Sequence, residues 1–254
     1  MRRRAGAATV ICVLGLMTSV GLCVDSESQR LGEALGESLV SSAEDVAETK
    51  TRAVPECDPP YSSPELEKMC DRAQRTVEIL LKVQDAIEHG RVGKEQKYED
   101  TYDYHMFAAL KYGLRSSSNL IRWHVLTNIF GACDEPSALS ALGKKECGRE
   151  VESACMETLK SDTDPMNRQL ALEILGMGYA GIAAKPVLEQ IAAASSGKGS
   201  RCPRIFDQEK KGDAQYLKQI EEGYAKGLYS CEVELASEAI KSIKSKVGRR
   251  DTGK

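Results

Sequence analysis

The chain has 254 residues and a formal net charge of −3, and 41% of its residues are hydrophobic but only 5% are aromatic. That length is enough for one or two domains with a buried core, and the composition favours helices. The mild acidity argues against nucleic-acid partners, because phosphate backbones are bound by clustered Lys and Arg. The basic cluster from Lys241 to Lys254 is interpreted as a solvated chain end, with a disordered tail over residues 249–254.

The N-terminus has the pattern of an export signal. Three arginines precede an uncharged run from Ala5 to Val24, and acidic, Ser-rich sequence follows. Ser19 and Gly21 place small residues where a signal peptidase needs them. We predict a signal peptide over residues 1–21, cleavage after Gly21, and an exported protein that is periplasmic or secreted.

Three alternatives remain open at this terminus. Cleavage after Cys23 would remove that cysteine, and acylation of Cys23 would make the protein a lipoprotein. The uncleaved run could also act as an anchor, because a spanning helix needs ~20 residues. Membrane attachment is therefore expected only if the N-terminus is uncleaved or Cys23 is lipidated.

Residues 22–62 are predicted to be a flexible acidic segment followed by a Pro-rich linker. Residues 25–58 contain nine Asp or Glu against three Lys or Arg. An apolar stripe runs through Ser28–Glu48, but two glycines interrupt it, and each glycine costs a helix ~1 kcal/mol. The stripe consists of Leu31, Leu35, Leu39 and Val46. We therefore expect the folded part to begin near Ser63.

Residues 63–248 are predicted to form an all-α domain. Leu, Ala, Glu, Lys and Ile recur at spacings of three and four, and the alternation typical of strands is not sustained. Ser63-Pro64-Glu65 supplies the N-cap, the first-turn proline and the acidic residue of a helix start. That helix is predicted to end at His89-Gly90, where glycine suits the C-terminal cap.

Two stretches of this domain are similar to each other. Leu114–Gly131 and Leu159–Gly176 each close one helix on a leucine, turn through small polar residues and open a second helix that runs toward a glycine. Each places an arginine early in the second helix, Arg122 in the first stretch and Arg168 in the second. The register is roughly 45 residues, a period typical of helical repeats.

This plan resembles the HEAT repeat, most closely over residues 159–191, where a polar turn, an arginine and a Leu-Gly helix end follow one another. The resemblance covers roughly residues 98–245 and implies antiparallel helical hairpins stacked as a short α-solenoid. Extra sequence from Lys144 to Glu152 and an insertion from Ser195 to Gly227 depart from the pattern.

The resemblance also implies a function by analogy. Grooves of such solenoids usually bind proteins, so we expect a protein-interaction or scaffolding module in the cell envelope or extracellular space. Arg122 and Arg168 are expected to hydrogen-bond loop carbonyls or acids of the adjacent repeat, and a direct ligand role is the alternative. A structural envelope protein held by its N-terminal segment is a further alternative.

The cysteines are predicted to form structural disulfides, because an exported chain meets an oxidising compartment. Spacing favours a pair between Cys57 and Cys70. It also favours Cys202 with Cys231, since each of these pairs would tie an irregular segment to a helix. A third pair is expected among Cys133, Cys147 and Cys155, whose connectivity the sequence leaves open. The cysteine and histidine spacing fits neither a zinc site nor a redox site, so no metal or cofactor is predicted.

No catalytic residue is predicted, because the sequence lacks the nucleophile-elbow, P-loop, dinucleotide and zinc-protease motifs. Tyr98, Tyr102 and His105 fall on one helical face and could stack a sugar or hold a peptide. A small-ligand binder or enzyme using that face is therefore an alternative to packing of the rings on the preceding helix. Trp123, beside Arg122, is expected to be a core anchor rather than a binding platform.

Overall fold

A computed structural model of the chain describes residues 26–53, 57, 59–88, 107–134, 144–194, 202–207 and 213–251. These residues form helices and no strand, which confirms the predicted all-α class. The helices are α1 (Ser26–Glu48), α2 (Pro64–Glu88), α3 (residues 107–113), α4 (Asn119–Asp134), α5 (Lys144–Ser161), α6 (Pro165–Ile174), α7 (Lys185–Ala193), α8 (Ala214–Ala225) and α9 (Glu232–Asp251). The predicted signal peptide, residues 1–21, lies outside the described residues.

Four helices contact one another in chain order: α1 packs on α4, α4 on α6, and α6 on α9. The remaining helices cover this row, with α2 on α1, α5 against both α4 and α6, and α7 on α9. The buried apolar side chains form one main cluster that runs from α1 to α9, including Leu35, Leu126, Leu170 and Leu235. No helix in the described part of the chain has both the length and the apolarity that a membrane crossing requires.

The prediction of a flexible segment over residues 22–62 is wrong for α1, which belongs to the folded core. Leu35 and Ala43 are fully buried, and Leu39 and Val46 are nearly so. Burial of one leucine side chain contributes about 1.5–3 kcal/mol, which outweighs the ~1 kcal/mol cost of each helical glycine. The folded part therefore includes Ser26 onward rather than beginning near Ser63.

Local capping sets where the later helices begin. Ser63 caps α2, because its Oγ accepts from the N–H of Leu66 at 3.1 Å, as the sequence predicts. Asp164 caps α6 by accepting from the N–H of Asn167 at 2.9 Å, and Pro165 follows as the first helical residue. The predicted end of α2 at His89-Gly90 lies outside the described residues.

Three boundaries differ from the sequence expectation. The extra sequence from Lys144 to Glu152 forms the first half of the continuous helix α5. Beyond α6 the chain continues as a π-helical turn, Leu175–Tyr179, instead of stopping at a glycine. The predicted disordered tail is helical as far as Asp251.

The described residues include three disulfides, which confirms the disulfide prediction. Cys57 pairs with Cys70 and Cys202 pairs with Cys231, with Cα–Cα distances of 5.5 and 5.3 Å. The third bond joins Cys133 to Cys147 and links α4 to α5. Cys155 is a buried free thiol in the middle of α5.

Candidate interaction surface

Arg122 joins its own turn to the next helical hairpin. Its Nη1 donates to the carbonyls of Ser116 and Ser117 at 2.7 and 3.1 Å. Its Nε and Nη2 donate to the two carboxylate oxygens of Asp162 at 2.7 and 2.8 Å. Asp162 lies in the turn between α5 and α6, so this bidentate ion pair connects two successive turns.

Arg168 makes a similar set of contacts further along the chain. Its Nη1 donates to the carbonyls of Leu159 and Asp162 at 2.5 and 3.4 Å. Its Nε and Nη2 donate to the two carboxylate oxygens of Glu232, the first residue of α9, at 2.6 and 2.7 Å. Each arginine therefore bonds carbonyls close to the turn before its own helix and, bidentately, an acid of a following element.

Burial and hydrogen bonding shift the pKa of Asp162 in opposite directions. Burial alone would raise the pKa of Asp162, but hydrogen bonds from Arg122, from Asn167 and from the N–H of Asp164 hold it below its ordinary value. The same hydrogen bond to Asp162 is the largest cause that raises the pKa of Arg122. The pair is therefore charged throughout the neutral pH range.

Arg52 is the buried centre of a second polar cluster. Its Nη1 donates to Oδ1 of Asn167 at 2.8 Å, and its Nη2 lies 3.1 Å from both carboxylate oxygens of Asp164. The indole N–H of Trp123 donates to the carbonyl of Arg52 at 3.0 Å. Trp123 is 2% exposed, so it acts as a core anchor for residues 51–53, as the sequence predicts.

His124 adds a neighbouring contact to the same segment. Its Nε2 lies 2.9 Å from the carbonyl of Thr51, and a carbonyl accepts only, so Nε2 carries the proton. Burial is the main cause that lowers the pKa of His124, and the Arg52 cation acts in the same direction. His124 is therefore a neutral donor that helps to hold residues 51–53 against α4.

Gln169 and Glu173 form a buried polar pair on α6, one helical turn apart. Nε2 of Gln169 donates to Glu173 at 2.7 Å and to the carbonyl of Pro203 at 2.6 Å. The carboxylate of Glu173 accepts from the N–H groups of Ile205 and Phe206 at 2.9 and 3.0 Å. Burial raises the pKa of Glu173 despite these hydrogen bonds. The pair thus binds the main chain of residues 202–207, which we call the tethered segment.

The tethered segment also makes side-chain contacts with two other helices. Arg204 donates to Glu234 and Glu238 of α9 at 2.9 and 2.7 Å. Ile205 is 4% exposed, and the Phe206 ring lies 5.3 Å from the ring of Phe130 on α4. The insertion predicted over residues 195–227 therefore packs, in its described part, across α4, α6 and α9.

An open groove lies between α7, the start of α6 and the residues that lead into α9, and we call it the α7 groove. Its volume is about 800 Å³, and the Arg168–Glu232 ion pair is part of its wall. The wall comprises Leu159, Lys160, Pro165, Arg168, Val187, Gln190, Ile191, Ala194, Tyr224, Tyr229, Ser230, Cys231, Glu232 and Val233. Lys160, Gln190 and Ser230 are exposed at this groove and accessible to a partner.

The predicted aromatic face of Tyr98, Tyr102 and His105 lies outside the described residues, so a ligand role for these side chains stays a prediction. Among the residues that the structure describes, no group of His, Cys, Asp or Glu is arranged to hold a metal ion.

Sequence reasoning missed three buried polar residues that join separate parts of the chain: Arg52, Gln169 and Glu173. Gln169 and Glu173 had a detectable signal, because they are polar residues four apart in a helix whose neighbours Leu170, Leu172 and Ile174 are apolar. Arg52 had none, since its partners lie more than a hundred positions away, at Asp164 and Asn167.

Comparison of the chain with known proteins found no match to a protein family, a curated protein or a solved structure. The contacts of the described residues therefore carry the functional interpretation.

Proposed function

We propose that this protein is an exported helical-repeat protein, a short HEAT-like α-solenoid that acts as a protein-interaction or scaffolding module in the cell envelope or extracellular space. The observation that carries this proposal is the equivalence of Arg122 and Arg168. Each arginine bonds carbonyls close to the turn before its own helix and, bidentately, an acid of a following element. Similar roles of two arginines at equivalent positions of the two similar stretches fit stacked units.

The order of helix contacts supports the same proposal. A helical hairpin cannot bury its apolar face alone, so neighbouring units share a continuous core. The contacts along the row α1, α4, α6 and α9, and the main apolar cluster that runs through it, fit such sharing. The three disulfides support export, because such bonds persist in oxidising compartments.

The α7 groove is the proposed contact surface for a protein partner. It is open, it is lined by both apolar and polar side chains, and two tyrosines, Tyr224 and Tyr229, contribute to its wall. Aromatic residues are enriched in protein interfaces, whereas small-molecule sites are usually more enclosed. A groove of this kind suits a segment of another protein.

Site-specific photocross-linking in the native host tests the proposal. A photoreactive residue is placed at Lys160, Gln190 or Ser230, and a matched control is placed at Glu37, an exposed position on α1. We expect discrete cross-linked protein products from the groove positions and none from Glu37. Groove positions that give no product, or the same products as Glu37, would overturn the proposed contact surface.

A further inference from the structure

The tethered segment is held in the way that a bound peptide is held. Three side chains on α6 and α8 hydrogen-bond to its main chain. Gln169 donates to the carbonyl of Pro203, Glu173 accepts from the N–H groups of Ile205 and Phe206, and Tyr216 donates to the carbonyl of Arg204 at 3.0 Å. Main-chain hydrogen bonds do not depend on the side chains of the bound segment. In peptide recognition such bonds supply affinity, and pockets for particular side chains supply specificity.

Three such side-chain contacts follow one another along the segment. Arg204 lies between the carboxylates of Glu234 and Glu238, which form an acidic pair on α9 that is partly exposed. Ile205 is buried in the main core cluster. Phe206 packs with its ring plane tilted by 58° from that of Phe130. The basic, aliphatic and aromatic side chains of the segment thus contact, in that order, an acidic pair, the apolar core and an aromatic ring.

A covalent bond holds the segment in this place. Cys202 begins the segment and is bonded to Cys231, which directly precedes α9. Tethering makes binding intramolecular, and a short tether gives an effective concentration on the order of millimolar or higher. A peptide from another molecule competes with the segment only when the tether or the side-chain contacts are weakened.

We propose that Gln169, Glu173, Glu234, Glu238 and Phe130 form a peptide-binding site that the chain's own tethered segment occupies. The partner that fits this site is a protein segment in which an arginine is followed by an aliphatic and then an aromatic residue. The proposal rests on the interaction function proposed above and names the partner chemistry of a second surface, on the side of α6 covered by the tethered segment. The disulfide Cys202–Cys231 keeps the site closed in the oxidised protein.

The test measures binding of a labelled peptide, Ser-Pro-Arg-Ile-Phe-Asp, by fluorescence polarisation. This peptide reproduces residues 202–207 with serine in place of the cysteine. One protein variant, Cys202→Ser with Cys231→Ser, lacks the tether. A second variant, Arg204→Ala with Phe206→Ala, keeps every disulfide and loses the contacts of these two side chains. We expect both variants to bind the peptide at least about tenfold more tightly than the wild-type protein does, because the internal competitor is weakened.

Two controls assign the binding to this site. The pair Cys57→Ser and Cys70→Ser removes a disulfide from a separate apolar cluster and should leave peptide binding as weak as in the wild type. Glu234→Gln with Glu238→Gln, added to the second variant, should weaken binding about tenfold, because the acidic pair that receives the peptide arginine is lost. A peptide of the same composition in scrambled order should not bind.

Circular dichroism establishes which variants are folded before binding is measured. If the untethered variant does not fold, the variant that keeps every disulfide decides. Absence of binding to the folded variants at millimolar peptide, or binding that ignores the Glu234 and Glu238 substitutions, would overturn the proposal. Failure of both variants to fold would also overturn it, because the segment would then be an obligatory part of the core. None of these outcomes affects the photocross-linking result at the α7 groove. The peptide-binding proposal can therefore be wrong while the proposed contact surface at the α7 groove holds.

Discussion

The guanidinium carbon of Arg52 lies 4.8 Å from the centre of the Trp123 ring, and the indole N–H of Trp123 donates to the Arg52 carbonyl at 3.0 Å. These two contacts hold residues 51–53 against α4. The Arg52 guanidinium then continues to Asp164 and Asn167 of the next hairpin. One buried arginine therefore connects the end of α1 with the beginning of α6.

We expect Arg52→Met to lower the free energy of unfolding by about 3 kcal/mol, because removal of one partner leaves a buried charge network unpaired. The Arg52 side chain is 2% exposed, whereas the side chain of Arg72, which pairs with Asp45 at 2.9 Å, is 36% exposed. Arg72→Met is therefore the matched control, with an expected cost below about 1 kcal/mol. Urea unfolding monitored by circular dichroism measures both. Equal costs for the two substitutions would contradict the central role of Arg52.

The Arg122–Asp162 pair makes a prediction about acid stability. The pKa of Asp162 is lowered in the folded protein, so its stabilising contribution is complete above the unfolded pKa of about 4 and is lost as the pH falls through the lower folded pKa. We expect Asp162→Asn to reduce stability at pH 7 and to flatten the fall of stability below pH ~4. Unfolding curves between pH 2 and 7 test this expectation.

Glu232→Gln is the matched control for that series. Glu232 receives the same bidentate contact from Arg168, but its side chain is 36% exposed, against 2% for Asp162. Solvent screens the exposed pair more strongly, so we expect a smaller loss of stability. If Glu232→Gln lowers the free energy of unfolding as much as Asp162→Asn or more, burial does not decide the strength of these two pairs.

The sequence was sufficient for features that depend on neighbouring residues. The N-cap at Ser63 and the turn contacts of Arg122 and Arg168 could be predicted, because their signals lie within a few positions of the turns that they stabilise. The helical class followed from periodicity for the same reason. Local propensity is informative wherever one helix or one turn decides the outcome.

Features that depend on distant contacts were not predictable. The apolar stripe of α1 was visible, but its stability depends on burial against α2 and α4, which no local pattern encodes. The contact between Glu173 and the N–H of Ile205 joins α6 to a residue 32 positions later, inside the predicted insertion. In both cases tertiary packing outweighed local composition, because burial of several side chains exceeds the cost of glycines or of one buried acid.

A pair of glycines offers a test of the packing between α8 and the chain that follows it. A Cβ atom added to Gly223 would lie 2.0 Å from Cε2 of Tyr229, whereas one added to Gly148 in α5 meets nothing within 4 Å. We expect Gly223→Ala to destabilise the protein by about 1–3 kcal/mol, because the Tyr229 ring must move. Gly148→Ala should stabilise it by about 0.5–1 kcal/mol, since alanine replaces a glycine inside a helix.

Thermal unfolding of both variants distinguishes these effects. A change of 1 kcal/mol corresponds to a shift in Tm of roughly 2–4 °C for a domain of this size, so opposite signs are readily resolved. Tyr224 and Tyr229 lie edge to face with 5.6 Å between ring centroids, and near-ultraviolet circular dichroism should report loss of that arrangement only in Gly223→Ala. A stabilised Gly223→Ala protein would contradict the close packing of this turn.

The buried thiol of Cys155 provides a chemical probe of global unfolding. Burial raises the pKa of Cys155 far above its ordinary value, and the nearby Glu152 carboxylate acts in the same direction. The thiolate is the reactive form of cysteine, so we expect iodoacetamide to leave Cys155 unmodified in the native protein at pH 8. Trypsin should release Cys155 in the peptide 150–160, which contains no other cysteine, so mass spectrometry can follow this thiol alone.

Alkylation of Cys155 should begin only as urea unfolds the domain, with a rate that follows the equilibrium population of the unfolded form. The six disulfide-bonded cysteines serve as the internal control, because they stay unmodified until a reductant is added. Rapid alkylation of Cys155 without urea would mean that α5 opens independently of the other helices, and the described helices would then not unfold as one unit.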